Sequence, residues 1–310
     1  MDWFPDEAAC LKYLEQLRWP EGFVCPRCGV SAPAYRASRS RLVCSACRAQ
    51  CSVTAGTIFE KTRTPLRSWL AAVWYVTNQK HGVSALGLKR VLGLGSYQTA
   101  WAMLHRLRRA MIRPGRERLA GVVEVDETYV GGRDPKTRRK GRRARRKRPF
   151  ESKKSIVVIA VEVLEPPKGF GRIRLRRVRS ATEQNVLPFL LESVEPGSTI
   201  HTDGSWIYRS LPQHGYLRDK TVILGSKEPP HESLPGVHRI ASLLKRWLLG
   251  THQGSVQSHQ LDYYLDEFTF RFNRRSSRSR GLLFYRLLEQ AMVTPPTTYQ
   301  AITKASEPNI

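Results

Sequence analysis

The stretch Val122-Val123-Glu124-Val125-Asp126-Glu127-Thr128-Tyr129-Val130-Gly131-Gly132 decides how the rest of the chain is read. Its apolar residues alternate, and it ends on two glycines, so it predicts a strand closed by a turn. Period-2 alternation sets Val123, Val125 and Glu127 on one face and Glu124, Asp126 and Thr128 on the other. A carboxylate carried by a core strand is costly unless something pairs with it. A metal ion is one such partner. Taken alone, the stretch reads better as a strand with a solvated acidic face.

Composition narrows the choice. The chain has 310 residues, 41% of them hydrophobic, which is enough for two or three globular domains. Lys and Arg number 52 against 26 Asp and Glu, a net charge of +26, which points to a polyanionic partner and most simply to nucleic acid. No apolar run approaches the ~20 residues of a membrane helix, so no membrane partner is expected. Met1-Asp2-Trp3-Phe4-Pro5-Asp6 lacks the basic start and apolar centre of a signal peptide. The expectation is a cytoplasmic, nucleoid-associated protein with reduced cysteines, whose spacing is read as metal binding before disulfides.

Cys25-Pro26-Arg27-Cys28 and Cys44-Ser45-Ala46-Cys47 are separated by fifteen residues, a zinc-ribbon spacing. Each pair places two thiolates on one side of a turn, and four thiolates close a tetrahedral structural Zn²⁺ site. Gly29 permits the turn. Cys10, in an amphipathic helix over residues 7–18, and Cys51 are assigned to packing. Residues 66–80 and 85–92 read as helices. A further helix follows from Tyr97, carrying Arg106, Arg108 and Arg109, with Ser84 and Ser96 as N-caps. Two helices joined by Gly93-Leu94-Gly95 suggest a helix-turn-helix-like unit, with Arg106 and Arg109 as DNA contacts. An ordinary helical hairpin fits the same pattern. Residues 133–148 hold eleven Lys or Arg, including Arg142 and Arg143, a basic loop suited to phosphate backbone.

Ser155 to Val163 is a nearly continuous apolar strand, and Arg172 to Val178 is a third strand after a Pro-Gly turn. Thr182 to Leu191 is a helix. Ser198 to Asp203 is a fourth strand ending in an acid. A loop rich in Pro, His and Gly runs to Gly236. Then comes a helix over 238–249 with the stripe Ile240, Leu243, Leu244, Trp247 and Leu248. His238 and Lys245, seven residues apart, share another face of it. A last helix covers 282–291. This order is that of an RNase H-like domain. The expected class is a multidomain α+β protein: residues 1–55 a helix and zinc ribbon, 56–115 the helical DNA-binding region, 116–295 the catalytic domain, 296–310 a tail. In that architecture acids on the first and fourth strands meet, and a third group comes from the later helix. Asp126, Asp203 and His238 fit these places. Two divalent ions, Mg²⁺ or Mn²⁺, held there would support phosphoryl transfer. Trp206 and Tyr208 are assigned to core packing, with base stacking as the alternative.

Several runs together resemble the DDE-type transposases of bacterial insertion sequences, in the group with an N-terminal zinc ribbon. They are Trp19 to Gly29, Ala55-Gly56-Thr57-Ile58-Phe59, Val125 to Gly132, Thr202-Asp203-Gly204, Leu243 to His252, and Tyr264 to Arg275. The resemblance implies cleavage of transposon ends and joining of the 3′-hydroxyls to target DNA. It makes Asp126 and Asp203 metal ligands and Lys245, with Arg246 beside it, a contact to DNA phosphate. It also implies double-stranded terminal-repeat and target DNA as partners, and a homodimer or larger assembly that brings two ends together. Position 238 departs from the pattern: relatives carry Asn or Glu, and here it is His. His238 reads as a ligand or proton shuttle. Glu232 or Glu267 as the third acid, and an inactive copy, are the other readings. For Glu267 the better reading is that it and Asp266 pair with Arg271, Arg274 or Arg275. A zinc-ribbon regulator without catalysis would explain the charge and cysteines but leave Asp126 and Asp203 idle. A nuclease without strand transfer would use them.

Overall fold

The computed structural model describes residues 4–113, 115–131, 154–221, 234–254 and 256–304. Arg142, Arg143, the rest of the basic loop and Glu232 lie outside these residues. The chain divides into two compact units. The first runs to residue 114 and takes back residues 276–303. The second spans residues 115–275.

In the first unit, α1 (Glu7–Arg18) is followed by three short strands, β1 (Tyr35–Ala37), β2 (Arg41–Val43) and β3 (Gln50–Ser52), paired antiparallel in that order. Arg18 ties the helix to this sheet by donating to the carbonyls of Ser52 and Val53 at 3.2 and 2.6 Å. The helices α2 (Leu66–Asn78), α3 (Ala85–Val91) and α4 (Tyr97–Ala110) come next. Pro65, at the start of α2, has no side chain to cap it. Glu7 reaches across instead and accepts from the N–H groups of Leu66 and Arg67, both at 2.9 Å. Ser84 caps α3 by accepting from Gly87 N–H at 3.1 Å. Ser96 stands at the expected cap of α4, but its hydroxyl turns to Gln98 Oε1 at 2.8 Å.

The sequence reading carried the catalytic domain to residue 295. The structure instead returns α8 (Arg280–Val293) to the first unit. Leu283, Leu287, Leu288, Ala291 and Met292 are buried there, and Ile58 N–H donates to the Ala291 carbonyl at 3.4 Å. The apolar stripe was visible in the sequence. Its partners in α1 and α2 lie more than two hundred residues away, beyond the reach of periodicity. A short helix, α9 (Tyr299–Thr303), follows.

The second unit is a five-stranded mixed sheet between helices. The strands β4 (Val122–Val130), β5 (Ser155–Val163) and β6 (Phe170–Val178) form an antiparallel meander. The crossover helix α5 (Glu183–Ser193) leads to β7 (Thr199–Asp203), parallel to β4. Then β8 (Leu217–Thr221) lies parallel to β7, giving the order β6-β5-β4-β7-β8. The fifth strand was not expected, because Leu217-Arg218-Asp219-Lys220-Thr221 has one apolar residue. Among the described residues it is an edge strand, paired with β7 alone, and needs no apolar alternation.

One sheet face packs Val123, Val125, Val158, Ala160 and Ile200 on Phe189 and Leu190 of α5. The other packs Val157, Ile159 and Val161 on α6 (Pro235–His252) and α7 (Leu261–Asn273) through Ile240, Leu244, Leu265 and Phe268. Burial on both faces explains why β5 is apolar throughout. The outer edge of β6 is closed by a side chain. Asn273 accepts from Ile173 N–H at 2.8 Å and donates to its carbonyl at 3.1 Å, as a further strand would.

Candidate active site

Strand register sets the two acids side by side. β4 and β7 run parallel with Val125 opposite Thr202, so the next residues, Asp126 and Asp203, stand abreast at the carboxyl end of β7. Each has one carboxylate oxygen held by a nearby backbone N–H: Glu127 to Asp126 Oδ1 at 2.7 Å, and Ser205 to Asp203 Oδ1 at 3.0 Å. These bonds fix the carboxylates and leave the second oxygens for another partner. Burial pushes the Asp126 carboxyl above its usual range. The Glu127 N–H opposes that shift, the Asp203 charge adds to it, and His238 draws it back.

The third element is the start of α6. A cleft of about 480 Å³ is lined by Asp126, Thr128, His238, Ala241, Ser242 and Lys245, among others. It gathers Asp126, His238 and Lys245, and Asp203 stands beside Asp126. The Nε2 atom of His238 is buried and has no hydrogen-bond partner among the described residues. A buried ring nitrogen without a partner suits a site whose ligand is a cation. Among the described residues, the four cysteines alone form a group of three or more ligand atoms all within 4.8 Å of one another. Asp126, Asp203 and His238 do not form such a group. Lys245 and Arg246 are both exposed on α6.

Glu124 locks this arrangement. It is 3% exposed, on the same face of β4 as Asp126, and accepts from Val237 N–H at 2.9 Å and from Gly236 N–H. Leu234, at the helix N-cap, offers no side-chain oxygen, so Glu124 supplies the cap from another element. Burial raises its pKa, against those two N–H groups. Gly236 is required by the close approach: a Cβ there would sit 2.8 Å from Glu124 Oε2 and from the Phe170 ring. Glu124→Ala should therefore lower stability by about 1–3 kcal/mol, the cost of buried N–H groups left unsatisfied. Glu124→Gln, which keeps an acceptor, should recover most of it. Denaturant unfolding of the three proteins checks this, and equal losses for Ala and Gln would contradict the cap.

On the opposite face, Glu127 is pushed up to about 7, mainly by burial. Tyr208 opposes this by donating a hydrogen bond, and the Asp126 and Asp203 charges add to it. Tyr208 is fully buried, as expected of a packing residue. Trp206 is not: it is 61% exposed, three residues past Asp203. The turn Trp206–Tyr208 buries Ile207 and Tyr208 and leaves the indole outside. Of the alternative third acids, Glu267 is buried in an ion pair with Arg271 at 2.7 Å, which occupies its carboxylate. The roles of Glu124 and Tyr208 escaped the sequence because their partners are 113 and 81 residues away.

The cysteine site is compact. Cys25 Sγ and Cys47 Sγ are 3.7 Å apart, as are Cys28 Sγ and Cys44 Sγ. Sulfurs 2.3 Å from a tetrahedral zinc would be about 3.8 Å apart. Both turns are built alike. Gly29 N–H donates to Cys25 O and Arg48 N–H to Cys44 O, with Gly29 at φ 72° and Arg48 at φ 60°. Cys25 is held down at about 6 by the backbone N–H groups of Cys28 and Arg27. Cys51 lies buried on β3 and Cys10 in α1, outside the cluster.

Of the arginines expected on DNA, Arg109 is exposed and Arg106 is half-buried at the side of α4. Arg108 is 2% exposed and faces the interior.

Residues 118–273 match the model of the ISXO2-like transposase domain. The chain belongs to this transposase family. Residues 5–50 match the transposase zinc-ribbon domain. The chain is also similar to a protein of Halobacterium salinarum described as an uncharacterized protein in transposable element ISH50. The two are 28% identical over 282 residues, covering 86% of this chain and 91% of the relative. No solved structure matches. The resemblance seen in the sequence is thus borne out, and the four cysteines fall inside the matched ribbon. Among the described residues, no helix of this transposase-family chain is long and apolar enough to cross a membrane.

Proposed function

We propose that this chain binds the ends of its transposable element, cuts them and joins their 3′-hydroxyl groups to target DNA. Asp126 and Asp203 standing abreast on parallel strands carries the reading. The strand order, with β5 antiparallel and β7 and β8 parallel to β4, supports an RNase H-like catalytic domain. Asp126, Asp203 and His238 would hold Mg²⁺ or Mn²⁺, and Cys25, Cys28, Cys44 and Cys47 a structural Zn²⁺. The divalent ions, when bound, supply an activated nucleophile and stabilise the charge on the leaving oxygen. The carboxylates, fixed by the Glu127 and Ser205 N–H groups, orient that site with little rearrangement. Lys245, on the cleft wall one face away from the apolar stripe, holds the scissile phosphate. The DNA is double-stranded, and a homodimer or larger assembly would bring two ends together.

A neutral imidazole suits Mn²⁺ better than Mg²⁺. Strand transfer by the wild type should therefore be faster in Mn²⁺, and His238→Glu should shift the preference towards Mg²⁺. His238→Ala should lose about a hundredfold or more in either metal, by analogy with loss of one charge-stabilising group. An alanine variant as active as wild type would remove His238 from the site. Wild-type protein that neither nicks nor joins terminal-repeat DNA in either metal would refute the proposed reaction.

A further inference from the structure

The two matched segments leave residues 51–117 assigned to neither family model. A cleft of about 440 Å³, lined mostly by this stretch, opens between the turn Lys61–Thr64 and the side of α4 from Gln98 to Arg106, with Tyr299 at its margin. Lys61, Arg63 and Arg106 line it, together with Gln98 and Thr99, and among the described residues no carboxylate does. The turn is held from inside. Trp69 Nε1 donates to Thr62 Oγ1 at 2.9 Å, and Thr64 N–H donates to the same oxygen at 3.1 Å. Lys61 sits at φ 52°, in the left-handed region that non-glycine residues rarely adopt. Its ammonium is exposed and 3.8 Å from Glu60, an ion pair of little strength in water.

Arg106 is the informative residue. It is half-buried, and its Nε donates to the Thr297 carbonyl at 3.0 Å, which aims the guanidinium. Burial lowers its pKa, and no acid offsets the effect. A guanidinium removed from water without an anion is unfavourable, so an anion entering the cleft would be favoured there. Arg63 likewise has no ion pair among the described residues. Gln98, Ala102 and Arg106 stand four residues apart along α4, so one stripe of the helix forms the cleft wall. α4 is also the second helix of the α3–turn–α4 unit, the place from which such units reach base edges.

We propose that this cleft seats the phosphate backbone of duplex DNA. Lys61, Arg63 and Arg106 take neighbouring phosphates, and Gln98, exposed in the first turn of α4, faces the adjoining groove. The inference rests on the transposase reading for its partner; it keeps Arg106 as a DNA contact and joins to it Lys61 and Arg63 in place of Arg109. Lys and Arg contacts to phosphate release counterions, so binding that uses them weakens steeply with salt.

The test is fluorescence-anisotropy titration of the full chain across a range of NaCl, without magnesium or manganese. The probes are a duplex of the element's own end and a scrambled duplex of equal length. Arg63→Gln and Arg106→Gln should each reduce the slope of log affinity against log salt by about one, equally for both duplexes. Arg106→Lys should restore it, which a folding defect would not. Gln98→Ala should leave the slope unchanged and narrow the difference between the two duplexes. Unchanged slopes in both arginine variants would overturn the proposal. Because no catalytic metal is present, this outcome is independent of cleavage. A chain that cuts DNA with unchanged slopes keeps the catalytic reading and loses the cleft. One that shows the slope change but cuts nothing keeps the cleft and loses the catalytic reading.

Discussion

Asp126→Asn and Asp203→Asn should each leave a folded protein that still binds transposon-end DNA but cuts it at least about a thousandfold more slowly. The size follows from the role. A carboxylate that holds a divalent ion contributes several kcal/mol to the stabilisation of the transition state, and each 1.36 kcal/mol is tenfold in rate. An amide of the same shape keeps the backbone hydrogen bond from Glu127 or Ser205 but gives up the charge. Stability should move the other way. Burial and the neighbouring Asp203 charge both disfavour ionised Asp126, so removing that charge relieves the metal-free protein. The thermal midpoint of metal-free Asp126→Asn should thus equal or exceed that of wild type, while its cleavage rate collapses. A structural role for Asp126 would lower both together. Cleavage rates, anisotropy and thermal unfolding on the same preparations separate the two.

Cys25→Ser or Cys44→Ser should abolish zinc binding and unfold the ribbon. Isolated structural zinc sites derive about 10–16 kcal/mol from the metal, more than the net stability of most domains. Strands of three residues, β1 to β3, cannot replace that contribution. Metal analysis should find one zinc per wild-type chain and none in either variant. The five-stranded sheet, in a separate unit with its own core, should keep its structure by hydrogen exchange. Cys10→Ala and Cys51→Ala, outside the cluster, should retain zinc. Full zinc content in the Cys25 and Cys44 variants would refute the site.

Where a residue's partner is close in sequence, or its pattern is strictly periodic, the sequence was enough to read it. The CxxC pairs carry their own geometry. The apolar run of β5 and the stripe of α6 announce burial on two faces and on one. Asp126 could be placed on a strand face by counting from Val123. The difficulties all come from distance or from edges. Among the described residues the strand β8 pairs with β7 alone, and it carries no apolar alternation, so nothing in Leu217–Thr221 marks it. The return of α8 to the first unit depends on contacts with α1 and α2. Glu124 can be placed on the face of Asp126 by counting, but its capping of the start of α6 depends on a partner 113 residues away. Arg108 has the composition of a DNA contact and the position of a buried side chain, because helical phase decides which arginine points outward. Trp206 was assigned to the core as a large apolar residue, yet it shares a turn with Ile207 and Tyr208, which take the interior positions.

The central claim is that Asp126, Asp203 and His238 together form the seat of divalent metal. An Mn²⁺ titration of the full chain followed by electron paramagnetic resonance tests it most directly. The wild type should bind Mn²⁺ with nitrogen hyperfine coupling from His238. Asp126→Asn and Asp203→Asn should bind at least about tenfold more weakly, and His238→Ala should lose the nitrogen coupling. Equal Mn²⁺ affinity and identical spectra in all four proteins would contradict the account.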